Sequence, residues 1–231
     1  MKILGGINKM YSVAIDGPSG AGKSTIARAA AKVLGFIYVD TGALYRAIGY
    51  YIVKQGINTK DEQAVSQQLK NIDISLKYDN NGKQQVILNN NDVSEYIRTP
   101  EVSMAASNVS AIPKVREFLL DLQRNIAKTN NVIMDGRDIA TVILPNADVK
   151  IFLTASAEKR AHRRYLELLE KGGNVTEQEV LEDVKKRDYQ DSHREIAPLM
   201  PSGTSIIVDT SELTLDESIN TIIKIVKEHL K

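Results

Sequence analysis

The chain has 231 residues, 42% of them hydrophobic, with 30 Lys and Arg against 29 Asp and Glu for a net charge of +1. A balance this close to neutral excludes a blanket attraction to nucleic acid or anionic membrane, and the absence of cysteine excludes disulfides, thiolate metal sites and cysteine nucleophiles. No apolar run approaches the ~20 residues of a membrane span, so a soluble, cytoplasmic globular protein is expected, with its chemistry carried by motifs.

Residues 1–10 hold only Ile3, Leu4 and Ile7 between Gly, Asn and Lys. They are too broken for a signal sequence and are expected to form an extension ahead of the first strand, 11–16. That strand runs into Gly17-Pro18-Ser19-Gly20-Ala21-Gly22-Lys23-Ser24, a match to G-x-x-x-x-G-K-[ST] followed by a helical pattern over 24–34 that Gly35 stops. Strand before and helix after are the context that separates a phosphate-binding P-loop from a chance match. Gly17, Gly20 and Gly22 let the backbone N–H groups turn inward as an anion nest at a helix N-terminus. Lys23 then reaches the outer phosphates of a nucleoside triphosphate, and the Ser24 hydroxyl is placed to ligate Mg²⁺.

A second strand, 36–40, leads into a helix over 43–54 through Asp40-Thr41-Gly42-Ala43-Leu44-Tyr45-Arg46. The Thr41 hydroxyl and the N–H groups of a helix start suit a monophosphate, onto which Arg46 can fork; an ordinary N-cap with a surface Arg is the alternative. Residues 72–78 then alternate, Asn80-Asn81-Gly82 signals a turn, 85–88 reads as the returning strand, and a further short strand or turn follows around 89–93. This predicts a small antiparallel insert over 69–105, leaving 11–68 and 106–231 as the core.

The strand 132–135 ends in Asp135-Gly136-Arg137-Asp138. Asp135 is the candidate second Mg²⁺ partner, directly or through water; Asp16 competes for that role and is as able to brace the loop. Arg137 can stabilise phosphoryl charge, and Asp138 can accept from an exocyclic amine. After a strand at 149–153, Arg160, Arg163 and Arg164 fall at i, i+3 and i+4 and can share a direction, as an arginine-bearing lid over 156–180 requires. A solvated basic face is the alternative, and His162 reads as surface. On a helix over 180–193, Arg187, Asp191 and Arg194 form either an ion-pair ladder or a face that reads sugar and phosphate. Between 150 and 194 there are 10 Lys and Arg against 9 Asp and Glu, which suits point contacts to a small polyanion and not a basic stripe. The last strand, 206–209, ends in Asp209, read as a cap, and Leu215, Ile219, Ile222, Val226 and Leu230 form the stripe of a terminal amphipathic helix. The strands alternate weakly, so they read as buried on both faces in a parallel sheet under helices.

With these residues assembled, the chain resembles the P-loop nucleoside monophosphate kinases, most closely the bacterial cytidylate (CMP/dCMP) kinases. The resemblance runs from about Tyr11 to the C-terminus. It is carried by the segments Ile15 to Ser24, Asp40 to Arg46, Asp135 to Ile139 and Glu158 to Arg164, and by Arg187, Asp191 and Arg194 followed by Ala197-Pro198-Leu199. Ala140 stands where the family often has Gly. The resemblance implies an α/β, three-layer P-loop kinase: a five-stranded parallel sheet, a small antiparallel β insert in the monophosphate-binding region and a short Arg-rich lid. It implies transfer of the γ-phosphoryl group of ATP to CMP or dCMP with Mg²⁺; the charge balance speaks against nucleic-acid and membrane partners, and nothing in the sequence demands an oligomer, so a monomer is expected. The donor would lie on Gly17, Pro18, Ser19, Gly20, Ala21, Gly22, Lys23, Ser24, Thr25 and Arg160. Thr41, Tyr45 and Arg46 would bind the acceptor, with Ser107, Arg116 and Asp138 at its cytosine and Arg187, Asp191 and Arg194 at sugar and phosphates. Lys23, Arg137, Arg163 and Arg187 are expected to meet the transferring charge, with Arg160 and Arg164 behind them. UMP, AMP or a non-nucleotide acceptor, and a regulatory NTP switch, are the rival readings.

Overall fold

In the computed structural model, residues 9–79, 82–170 and 172–230 are described; most of the expected N-terminal extension, and the Asn80-Asn81 pair of the expected turn, lie outside them. The chain runs β1 (Ser12–Asp16), α1 (Lys23–Leu34), β2 (Ile37–Asp40), α2 (Thr41–Lys54), α3 (Glu62–Gln68), β3 (Ile74–Tyr78), β4 (Gln84–Leu88) and β5 (Asn91–Asp92). It continues with α4 (Pro100–Val109), α5 (Pro113–Thr129), β6 (Val132–Gly136), β7 (Val149–Thr154), α6 (Ala157–Glu170), α7 (Glu177–His193), β8 (Ile206–Asp209) and α8 (Leu215–His229).

Five strands form one parallel sheet in the order β2-β6-β1-β7-β8. Helices cover both faces of the inner strands β1 and β6, which is why these are apolar throughout rather than alternating; the edge strand β8, expected to be buried on both faces, leaves Ile207 63% exposed. Val13 and Ile15 pack under Ala27, Ala30, Ile222 and Val226 of α1 and α8, whereas Ala14 and Met134 face Ile139, Ile143 and α5. These are the expected three layers. Leu215 departs from the terminal stripe: it is the first residue of α8, after a Thr214–Glu217 capping box, and is 51% exposed because the helix meets the sheet only a turn later. The register pairs Ile15 and Asp40 with Asp135, and Asp16 with Gly136. Three carboxylates therefore reach the same rim, where open α/β sheets bind ligands.

The insert is the three-stranded antiparallel sheet β3-β4-β5. It has no core of its own: Ile74, Val86 and Leu88 belong to one cluster with Ile48 and Ile52 of α2 and Leu119 of α5. Helix α4 crosses the expected boundary at 105 and lies against α2 so closely that a Cβ on Gly49 would stand 2.9 Å from the Ala106 nitrogen. The insert grips the edge of the parallel sheet by side chains. The Tyr78 hydroxyl donates to the Tyr38 carbonyl at 3.1 Å, and the Gln84 Oε1 accepts from the Asp40 N–H at 2.9 Å. Helices α6 and α7 pack on each other through Ala161, Val180 and Val184. Helix α7 starts at Glu177, a turn before the periodicity suggested, because Thr176 and Glu179 close a capping box. Among the described residues no helix is long and apolar enough to cross a membrane.

Candidate active site

Between β1 and α1 the loop turns on three positive-φ glycines, Gly17, Gly20 and Gly22. At Gly17 the requirement is absolute, since a Cβ there would lie 1.9 Å from the Leu153 carbonyl oxygen of β7. Gly22 begins α1 with no side-chain cap and no acidic residue in the first turn, which leaves the helix N-terminus to an anion. Ser19, Gly20 and Ala21 complete the loop, with Ala21 buried; Thr25, expected on the donor, is exposed on the first turn of α1. Lys23 is buried, and its Nζ donates to the Pro18 carbonyl at 2.7 Å across the loop. Burial, then Arg137 beside it, lowers its pKa to about 7.

The Ser24 hydroxyl donates to Asp135 Oδ2 and the Tyr38 hydroxyl to Oδ1, both at 2.9 Å. Burial, and next Asp40, push the Asp135 carboxyl up to about 6. A desolvated carboxylate short of positive charge, beside a P-loop hydroxyl, is a fitting donor pair for a hard divalent cation. No cluster of three His, Cys, Asp or Glu able to hold a metal occurs among the described residues. A cation here would take its other ligands from phosphate and water, the habit of Mg²⁺.

Asp16 does the bracing instead. Its two oxygens accept from the Ile139 and Ala140 N–H groups at 2.7 Å each, so it pins the segment after Arg137 and Asp138 to the P-loop strand. Burial is the main reason its pKa rises to about 6. Ala140 has no positive φ and is buried against the sheet, so a methyl group is accommodated where the resembling family often has Gly.

At the start of α2 the arrangement differs from the expectation. Asp40, not Thr41, caps the helix, accepting from the Ala43 N–H at 3.0 Å and pairing with Arg46 at 2.7 Å. A carboxylate outcompetes a hydroxyl for the positive end of a helix. Thr41 is buried and donates to the Asp135 carbonyl at 2.8 Å. Among the described residues, the buried Nε of Arg46 nonetheless has no partner, and neither has that of Arg187. Arg137 Nε donates to Asp191 Oδ2 at 2.7 Å. Burial works against the Asp191 charge, yet Arg137, Arg187 and Arg194 hold its carboxyl below the ordinary range. Burial and then Arg137 depress the Arg187 pKa, with Arg46 and Arg164 adding the same sign. Three arginines thus crowd one carboxylate, with Arg46 and Arg164 near enough to act on Arg187, leaving an excess of positive charge suited to a polyanion.

Asp138 is buried between Arg116, whose Nη2 donates to its Oδ2, and Arg194, at 3.4 Å from its Oδ1. The Arg116 guanidinium lies 5.8 Å from the centre of the buried Tyr45 ring and donates to the Ser110 carbonyl at 3.1 Å. Ser107, half-buried on α4, lies one turn before Ser110. Arg194 is not on the helical face with Arg187 and Asp191: it steps off α7 with extended backbone. A tight turn at Ala197 (φ 50) brings the Ala197 carbonyl back to Arg194 Nε at 2.5 Å, and the Leu199 N–H to the Asp191 carbonyl at 2.8 Å. The Ala197-Pro198-Leu199 motif is the fastening of that corner.

The three arginines of α6 do not share a direction. Arg160 is buried on backbone carbonyls and Asp188. Arg163 donates to the Thr210 carbonyl at 2.9 Å, and Arg164 pairs with Glu167 at 3.0 Å. Spacing sets which residues share a helical stripe, but competing acceptors near each one decide where a long side chain goes. Asp209, read as a cap, takes the N–H and hydroxyl of Ser211. Sequence reasoning passed over Tyr38, Gln84 and Asp188, whose partners are distant in the chain and leave no local signal.

The sequence profile of one protein family, cytidylate kinase, matches residues 13–228. A cytidylate kinase of Caldicellulosiruptor bescii is 48% identical over 217 residues, covering 94% of this chain and 96% of that protein. One of Carboxydothermus hydrogenoformans is 49% identical over 214 residues, covering 93% and 96%. The crystal structure of an uncharacterized protein from Eubacterium ventriosum aligns with a TM-score of 0.52 at 14% identity, over 95% of this chain and 99% of that one. That likeness concerns the fold alone.

Proposed function

The chain belongs to the cytidylate kinase family, and from that premise we propose that it transfers the γ-phosphoryl group of ATP to CMP or dCMP, giving ADP and CDP or dCDP. The observation that carries the reading is the acceptor corner, where Asp138 is held by Arg116 and Arg194 beside Tyr45, next to the arginines gathered on Asp191. A carboxylate so held can accept from the exocyclic amine of cytosine, which uracil lacks. The partnerless Nε atoms of Arg46 and Arg187 are donors suited to the phosphates.

In this reading the P-loop, with Thr25 at its helix, holds the donor, while Thr41, Tyr45, Arg46 and Ser107 line the acceptor side. Asp191 and Arg194 hold the ribose end. Lys23, Arg137, Arg187 and Arg163 or Arg164 stabilise the charge that spreads over the transferring group. No general base is required, because the acceptor phosphate is already an anionic nucleophile, and alignment does most of the work. Ser24 and Asp135 would hold Mg²⁺, which would supply positive charge to neutralise the donor phosphates. Closure of α6 and α7 as a lid would exclude water, which otherwise hydrolyses ATP. The insert serves as part of the acceptor-binding region, and a cytoplasmic monomer is the simplest assembly, since one chain supplies every group named.

A coupled assay of ADP release over CMP, dCMP, UMP, AMP and no acceptor tests the proposal. Turnover should require CMP or dCMP; preference for UMP or AMP would reject the acceptor assignment, and acceptor-independent turnover would favour a hydrolytic switch. Chelation of divalent cations should abolish transfer.

A further inference from the structure

Arg160 was expected at the donor nucleotide, yet it is 4% exposed and its donors are spent on the protein. Nε donates to the Ala155 carbonyl at 2.8 Å and Nη1 to the Ser19 carbonyl at 2.9 Å. Nη1 and Nη2 also donate to the two oxygens of Asp188, at 3.0 and 2.5 Å. The base of the same side chain supports the loop from beneath, since a Cβ on Gly20 would lie 3.4 Å from the Arg160 Cβ. One guanidinium therefore joins the P-loop backbone, the turn between β7 and α6, and helix α7. Asp188 follows Arg187 directly and precedes Asp191 by one turn.

A bidentate Arg–carboxylate pair is geometrically stiff, and here it stands between the P-loop and α7. Any backbone movement at Ser19 on phosphate binding would displace the guanidinium or break its bond. The fork passes that displacement to α7, which carries Arg187 and Asp191. We propose that Arg160 and Asp188 are a positioning pair that couples occupancy of the P-loop to the placement of α7, so that donor and acceptor nucleotides strengthen each other's binding. The inference rests on the kinase reading given above. Such coupling is reciprocal by linkage, and its carrier is a contiguous chain of contacts.

The test is calorimetric titration of CMP into the full-length protein, with and without Mg²⁺ and a non-hydrolysable ATP analogue. In the wild type the analogue should tighten CMP binding by roughly 5- to 150-fold, the usual span of coupling between sites. In Asp188→Ala and Arg160→Lys, which remove the fork, the ratio should fall to within about twofold of unity. Melting temperatures of the same samples verify folding. Should Asp188→Ala not fold, Asp188→Asn, which keeps the shape and one acceptor, is titrated in its place. A pair that is merely stabilising would lower the melting temperature and leave the ratio untouched, and that result overturns the proposal, as does a wild-type ratio of one. ADP release with CMP, measured on the wild type alone, keeps the two questions apart. A wild type that phosphorylates CMP while its variants retain the full ratio refutes the positioning pair and spares the kinase reading.

Discussion

Asp16 offers a demanding test, because the same carboxylate that braces the site should weaken the fold. It is 1% exposed, and although two N–H groups at 2.7 Å favour its charge, burial dominates and raises the pKa from 3.8 to about 6. A rise of that size is a preference of about 3 kcal/mol for the uncharged carboxyl in the folded protein. A folded pKa above the unfolded value means that the full stability is present below pH 3.8 and is lost as pH rises through about 6. Asn has the shape of the protonated carboxyl and cannot ionise. From acid pH to pH 8 the stability of the nucleotide-free Asp16→Asn protein relative to wild type should therefore rise by about 3 kcal/mol, set against a pH-independent cost of about 1–3 kcal/mol for the one buried N–H that the amide leaves without an acceptor. About half of that rise should be present by pH 5 and almost none below pH 4. Transfer to CMP should nonetheless fall, since the amide can accept from only one of the Ile139 and Ala140 N–H groups, and Arg137 and Asp138 lose their anchorage. Thermal unfolding followed by circular dichroism at pH 8 and pH 5, on the ligand-free protein, provides the measurement. A variant less stable than wild type at pH 8, or a difference that does not change with pH, would refute the reasoning by showing that the two hydrogen bonds outweigh the buried charge.

Other outcomes follow from single residues. Lys23→Ala should reduce transfer by at least about 100-fold with an unchanged circular dichroism spectrum, because a donor to developing charge is lost; near-wild-type turnover would reject the P-loop's role. Lys23 is lowered to about 7 by burial and then Arg137, so ATP phosphates should recharge it at pH 8, with a proton uptake seen by calorimetry in buffers of different ionisation enthalpy and missing in Lys23→Ala. Gly17→Ala, which drives a Cβ to 1.9 Å from the Leu153 carbonyl oxygen, should cost at least about 2 kcal/mol in denaturant titration and eliminate binding of the ATP analogue. Arg116→Met leaves a buried Asp138 with Arg194 alone, at 3.4 Å; the loss should be about 3–5 kcal/mol and should appear with a raised KM for CMP and little change in KM for ATP.

Much of this protein was legible along the chain because its determinants are local. The P-loop is a run of adjacent residues whose glycines answer to backbone conformation, and the observed φ values of Gly20 and Gly22 are those the motif requires. The five parallel strands declared themselves by composition, which for the inner ones reflects burial on both faces, although Ile207 of the edge strand β8 is exposed. The antiparallel insert announced itself by alternation. Helices α4 and α5 were passed over, although each begins with Pro at its first turn, α4 behind a Thr99 cap, and although Val115, Phe118, Leu119 and Leu122 of α5 recur at helical spacing.

The placement of charged side chains was not legible, since it depends on which acceptors tertiary packing brings within reach. Spacing allowed Arg160, Arg163 and Arg164 one direction; Ser19, Thr210 and Glu167 drew them three ways. Asp16 and Asp135 were alternatives for the metal until the register put Asp135 against Ser24 and turned Asp16 to the Ile139 and Ala140 N–H groups. The chain by itself determined a phosphate cradle, a parallel sheet behind it and the near-neutral total charge. Only the folded structure decided where that charge becomes positive, because carboxylates many residues away in sequence cancel some arginines and leave Arg46 and Arg187 with donors still to fill.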